Sequence, residues 1–322
     1  MFTYNKRWCV AKTMNCENFT CHKIQITQAY EKGILGGPRT LSFIANGIKI
    51  DIVQIVVRTI ELSYDQTGDF DRLYSTFCQL EKLFVLFEGE FLAFKNIIAF
   101  DCDDEELEQS QLYEKIKSSR LNYCSTIDAC RGNSTNFLDA FKYVNVEIFN
   151  KWCNLVEDLD IIHQVFLYNT SSIGLPVDGK IASVIELFEP LVELITAYTN
   201  QFSSLKPGEK GTTLKMCLDA IISMYGKDIF DKEYSKNANK FLQILVNSRI
   251  KVMHIKRNFN QVCLSGEESV LYIVKLSFLY RKILCCLLGI EYRDYSDKFV
   301  ESVKRWETLE NVFSKFINCK LT

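Results

Sequence analysis

The chain has 322 residues, 48% of them hydrophobic and 24% charged, enough apolar content for two domains of ordinary size and too balanced for a disordered or fibrous protein. A formal net charge of −2 argues against a broad nucleic-acid-coating surface and leaves room for a local basic patch. Four prolines and 14 glycines are few for this length, which argues against a sandwich of many short strands and favours long regular elements, mostly helices.

The first residues, Met1 to Trp8, contain no apolar run of signal-peptide length. Thirteen cysteines, an odd number, are therefore expected as reduced thiols in a cytoplasmic protein. Cys9, Cys16, Cys21 and His22 cluster near the start, but no pair has the C-x2-C spacing of a zinc knuckle. Free thiols are the expectation there, with no metal and no cofactor. The glycines from Gly33 to Gly37 lack the Lys-Ser/Thr that would make a phosphate loop.

Segments 41–50 and 52–62 are rich in β-branched residues and partly alternate, which predicts strands around turns at Asn46-Gly47 and at Asp65-Gln66-Thr67-Gly68. From 71 to 88 the pattern becomes helical, with Leu73, Phe77, Leu80, Phe84 and Phe87 at three- and four-residue spacing. Segment 91–100 reads as a strand and the acidic run 101–108 as a solvated loop or helix start. A dip in apolar content at 131–136 marks a loop.

After about residue 150 the pattern is almost entirely helical. Helices are expected near 150–169, 180–199, 212–225, 234–257, 267–289 and 295–317. Ser265 and Glu268 have capping-box spacing ahead of an apolar run. That run, 271–290, is interrupted by Lys275, Arg281 and Lys282, which argues against a membrane span. His163 lies on an apolar helix and reads as a core histidine; Cys285-Cys286 reads as core packing. The fold class is α+β: a β-rich unit over 1–150 and an all-helical unit over 151–322.

Segment 234–257 carries Arg249 and His254, an Arg-x4-His spacing on one helix. With Asn247 as the origin of a helical wheel, Lys240, Gln243, Lys251, His254 and Asn258 fall within about 40° and make a polar stripe. Arg249 falls at about 200°, among apolar residues. A guanidinium on such a face needs a carboxylate, a phosphate or a subunit boundary to satisfy it.

The C-terminal half resembles the HEPN domain of ApeA-like proteins, through ordered pieces. Trp152, Glu157 and Phe166-Leu167-Tyr168 resemble its opening helix. Ile185-Glu186-Leu187 to Tyr198 is similar to the first core helix and Thr213-Leu214-Lys215 to Tyr225-Gly226 to the second. Phe241 to Ile255 resembles the motif helix, and Leu264-Ser265-Gly266-Glu267-Glu268 to Leu287-Leu288-Gly289-Ile290 the closing one. The first 150 residues resemble the β-rich N-terminal domain of the same proteins. The residue after the arginine, often polar in that family, is here Ile250, and the nearby polar residues precede it, at Asn247 and Ser248.

The resemblance implies a metal-independent RNA endonuclease. Arg249 would stabilise charge on the phosphoryl oxygens, while His254 would move the proton of a ribose 2′-hydroxyl or of the leaving 5′-oxygen. The product would be a 2′,3′-cyclic phosphate. Asn247, Ser248, Lys251, Lys256 and Arg257 are the candidate substrate-binding residues. The family's usual twofold pairing implies a homodimer with two motifs in one cleft. RNA is the implied partner, tRNA among the candidates, in an anti-phage, abortive-infection role with a phage-derived trigger or an antitoxin and no membrane. Two alternatives stay open, a non-catalytic helical module that only dimerises or binds RNA, and the toxin of a toxin–antitoxin pair.

Overall fold

A computed structural model of the chain describes residues 20–29, 38–55, 57–89, 93–107, 135–170, 176–209, 211–255, 258–308 and 311–322. The fold is α+β, with an antiparallel sheet followed by a helical region. The described residues divide into two compact units, one lying within 20–85, 93–107 and 139–154, the other within 86–89, 135–138 and 155–322.

The first unit holds β1 (Thr20–Ala29), β2 (Arg39–Ala45), β3 (Ile48–Gln54), β4 (Arg58–Asp69), helix α1 (Phe70–Glu88) up to Val85, and β5 (Ala93–Phe100). The strands form one antiparallel sheet in the order β2-β3-β4-β1-β5. The hairpin between β2 and β3 turns at Asn46 and Gly47, both with positive φ (52° and 74°), as a two-residue primed turn requires. Ile48, Ile50 and Ile52 alternate inward with Ile60 and Leu62 beside them, while Lys49, Asp51 and Glu61 lie on the other side. Leu73, Phe77, Leu80 and Phe84 form the buried stripe of α1, as their spacing predicts. Arg58 sits over the Phe84 ring at 4.2 Å, so even the buried cation of this core is packed on an aromatic face.

The turn expected at 65–68 is not a turn. Cys21 pairs with Gly68 and Lys23 with Ser63, so residues 64–67 are the excess opposite His22 and swing out as a bulge inside β4. Tyr64 folds back across it, donating to the carbonyl of Asp69 at 2.8 Å. A Cβ at Gly68 would strike the Tyr64 ring, which is why a glycine stands there.

After the short helix α2 (Ala140–Tyr143) comes α3 (Val146–Thr170), which runs through position 150 and bends at Asp160 (φ 38°). The second unit continues with α4 (Val177–Glu186), α5 (Phe188–Thr199), α6 (Leu214–Tyr225), α7 (Asp231–Met253), α8 (Gly266–Leu287), α9 (Ser296–Glu307) and α10 (Val312–Lys315). The single helix expected over 180–199 is two. Pro190 has no N–H for the carbonyl of Glu186, and its ring crowds that carbonyl, so the helix breaks at Leu187 and Glu186 ends α4. The helix expected over 295–317 is likewise divided, with Asn311 in the left-handed region at the start of α10.

Helix α8 is the centre of this unit, in contact with α4, α6, α9 and α10. Its start is a true capping box: Ser265 accepts from the Glu268 N–H, and Glu268 accepts from the Ser265 N–H at 2.6 Å. The three cations that interrupt its apolar run are all buried and each has found anions or carbonyls. Lys275 donates to Glu233 at 2.6 Å and Glu307 at 2.8 Å. Lys282 donates to both oxygens of Asp228 at 2.8 Å. Arg281 donates to the carbonyls of Leu86, Phe87 and Thr135. No helix among the described residues is long and apolar enough to cross a membrane.

Candidate functional site

The motif helix α7 begins its regular part late. Asn237 is extended (φ −169°), and its side chain accepts the Lys240 N–H at 3.0 Å, capping the stretch that carries Arg249. The helix expected to reach 257 ends at Met253. The His254 N–H still bonds to Ile250 O at 3.2 Å, and the Ile255 N–H turns back to Val252 O at 3.1 Å. Ile255 has φ 47°, the left-handed conformation that closes a helix and that glycine normally supplies. The wheel positions beyond 253 therefore do not hold: Ile255 leaves the helix 88% exposed.

Of the chain's three histidines, His163 is buried against Tyr280, His22 is half-buried on β1, and His254 alone is exposed. Lys251 is exposed as well. Lys256 and Arg257 lie outside the described residues.

Asn247 and Ser248 are buried, and their polar atoms are engaged within the fold. Asn247 accepts from Gln243 at 3.0 Å and donates to Val262 O at 3.1 Å. Ser248 donates to Ile244 O and accepts the Leu264 N–H at 2.9 Å. Lys215 on α6 extends this ladder, donating to Gln243 at 3.2 Å. The middle of the polar stripe is thus covered by the returning chain at 262–264, and these groups hold that segment onto α7.

Arg249 meets a carboxylate. Its Nε and Nη2 donate side-on to the two oxygens of Glu186, at 2.5 and 2.7 Å. The pair is part-buried, the side chains being 22% and 37% exposed for Arg249 and Glu186. The hydrogen bond to Glu186 is the chief reason the guanidinium is raised above its ordinary range, with the charges of Glu186 and Glu189 adding to it. Glu186 is the residue that sequence reasoning missed. The signal was an arginine on an apolar face, but a partner 63 positions away cannot be chosen from sequence among Glu186, Glu189 and Glu193.

Among the described residues no group of three or more histidine, cysteine or acidic side chains is placed to hold a metal ion. Cys9 and Cys16 lie outside the described residues. Cys21 is free and buried, its thiol pushed up to about 12 chiefly by desolvation. Cys285 is buried in α8 and also free.

No family model matches the chain, and no curated protein or solved structure matches it.

Proposed function

We propose that the helical unit is a HEPN-type RNA endonuclease that cleaves by attack of the ribose 2′-hydroxyl. The observation that carries this reading is the end of α7: a half-buried arginine and, five residues on, the one exposed histidine of the chain. Arg249 is the phosphate ligand, a planar fork suited to two phosphoryl oxygens. His254 is the proton-transfer group. Lys251 adds a positive charge for a neighbouring phosphate.

In-line transfer needs a base on one side of the phosphorus and an acid on the other, and one motif carries a single imidazole. A twofold homodimer supplies the second, with one His254 in each role. The cell-level role that fits is a cytoplasmic defence effector, acting on tRNA or another cellular RNA, released by a phage-derived trigger or from an antitoxin.

A second reading has its own support. Arg249 is engaged by Glu186, Asn247 and Ser248 are engaged by the fold, and Ile250 follows the arginine. These features suit a non-catalytic module that binds RNA or a partner.

The deciding experiment incubates the purified chain and His254→Ala with total tRNA in EDTA and assays the new ends. Cleavage to 2′,3′-cyclic phosphates by the parent, reduced about 10²–10⁴-fold in His254→Ala, is expected for a general acid–base histidine. Equal cleavage by both proteins would overturn the assignment.

A further inference from the structure

A carboxylate and a phosphodiester offer a guanidinium the same thing, two oxygens in one plane at hydrogen-bonding distance. Glu186 already makes that offer to Arg249, closing the side-on edge formed by Nε and Nη2. The other edge of the fork remains, but a phosphate there would lie beside Glu186, and Glu189 also acts on the same guanidinium. An anion approaching Arg249 thus meets one carboxylate in its seat and a second nearby.

The pair is nevertheless within reach of solvent: 22% of the Arg249 side chain and 37% of the Glu186 side chain are exposed, so salt and a competing anion can reach it. Exchange of Glu186 for a phosphate would leave the arginine with charge-assisted hydrogen bonds and return the carboxylate to water. Glu186 ends α4 beside Leu187, where Pro190 removes one backbone hydrogen bond while Leu187 keeps helical angles (φ −61°, ψ −24°).

We propose that Glu186 is the resident occupant of Arg249's phosphate site, and that RNA backbone binds by displacing it. The helical unit thereby restrains its own access to RNA. This rests on the reading of Arg249 as a phosphate ligand, but not on catalysis. Glu186 is a competitor for the substrate's phosphate and takes no part in bond breaking.

The test measures binding of a fluorescent 2′-O-methyl RNA, which offers no 2′-hydroxyl to attack, by fluorescence anisotropy. The proteins are the full chain, Glu186→Gln, Glu189→Gln and Glu186→Gln with Arg249→Ala, each checked for cooperative thermal unfolding. Glu186→Gln should bind about tenfold tighter than the parent, the scale of one charge-assisted contact released. Glu189→Gln removes the same charge without vacating the seat, and should gain about threefold at most. The gain should vanish when Arg249 is also replaced. Should Glu186→Gln unfold, Glu186→Asp, which keeps the charge but shortens the reach, should show a smaller gain of the same sign.

Equal gains in the two glutamine variants, or weaker binding by Glu186→Gln, would overturn the proposal. Cleavage on unmodified RNA separates it from the reading beneath it. If Glu186→Gln binds tighter through Arg249 yet nothing cleaves, the occupant stands and the nuclease fails. If cleavage depends on His254 while Glu186→Gln gains nothing, the nuclease stands and the occupant fails.

Discussion

Lys275 and Glu233 meet at 2.6 Å with neither side chain exposed to any degree. Desolvating two charges is costly, and the interaction between them offsets that cost only while both are present. Lys275→Met should therefore lower stability by about 3–5 kcal/mol, because Glu233 is left buried without its cation. Adding Glu233→Leu to Lys275→Met should recover part of that loss, since no unpaired charge is left at 233 and Glu307 keeps Lys232, while the buried Tyr272 hydroxyl loses its acceptor. Urea unfolding of the two single variants and the double variant measures this directly. Additive losses would show that the pair is not coupled as the distance implies.

The neighbouring carboxylate gives a pH prediction. Burial alone would raise Glu307, but the charge of Lys275 and hydrogen bonds from Lys232 and Lys275 outweigh it and hold the carboxyl below its ordinary range. A depressed carboxylate contributes stability above its unfolded value, about pH 4.3, and loses it as pH falls through the folded value. Glu233 has the opposite sign: desolvation raises it despite Lys275, so its share is present at low pH and fades as pH rises through the raised value. The two are separable by substitution. Glu307→Gln should flatten the acid limb of the stability profile while leaving the loss on the rising side in place. An unchanged acid limb would remove Glu307 from the account.

Ser248 and Asn247 precede Arg249 and invite assignment to substrate, but their bonds point inward. Ser248→Ala leaves the buried Leu264 N–H without its acceptor, which should cost about 1–3 kcal/mol. Asn247→Ala loses the bond to Val262 O and should cost about 0.5–1.5 kcal/mol. Assayed well below their unfolding temperatures, both variants should keep RNA affinity within about threefold, a difference of under 1 kcal/mol. A large loss of affinity in a fully folded Asn247→Ala would return that residue to the substrate-binding group.

Local signals in the sequence were legible where one segment determines its own structure. Asn46-Gly47 specified the hairpin, the Leu73-to-Phe87 spacing specified α1, and Ser265 with Glu268 specified the start of α8. The misses share a different cause, since each depends on a distant segment or on one residue read too lightly. Asp65 to Gly68 has turn chemistry, yet β1 pairs on both sides of it and converts the turn into a bulge. Asn247 sits in a polar stripe that only the returning chain at 262–264 covers. Pro190 was a readable break and fixes the place of Glu186, but the choice of Glu186 as partner to Arg249 is a tertiary fact.

Ile255 shows the same limit at the residue after the candidate histidine, and it yields a sharp prediction. A helix that ends through a left-handed residue usually does so at glycine, because a Cβ there crowds the backbone. Ile255 is β-branched, has φ 47°, and is 88% exposed, so its side chain gains little from burial to offset the strain. Ile255→Gly should relieve roughly 1–2 kcal/mol of backbone strain and give back about 0.5–1 kcal/mol through the freer unfolded chain. The net expectation is a stabilisation of up to about 1 kcal/mol, read as a rise in Tm at low protein concentration. A fall in stability would mean that the isoleucine side chain is buried against something. If that fall deepened with increasing protein concentration, the covering surface would be a second copy of this chain, placing His254 beside the dimer seam.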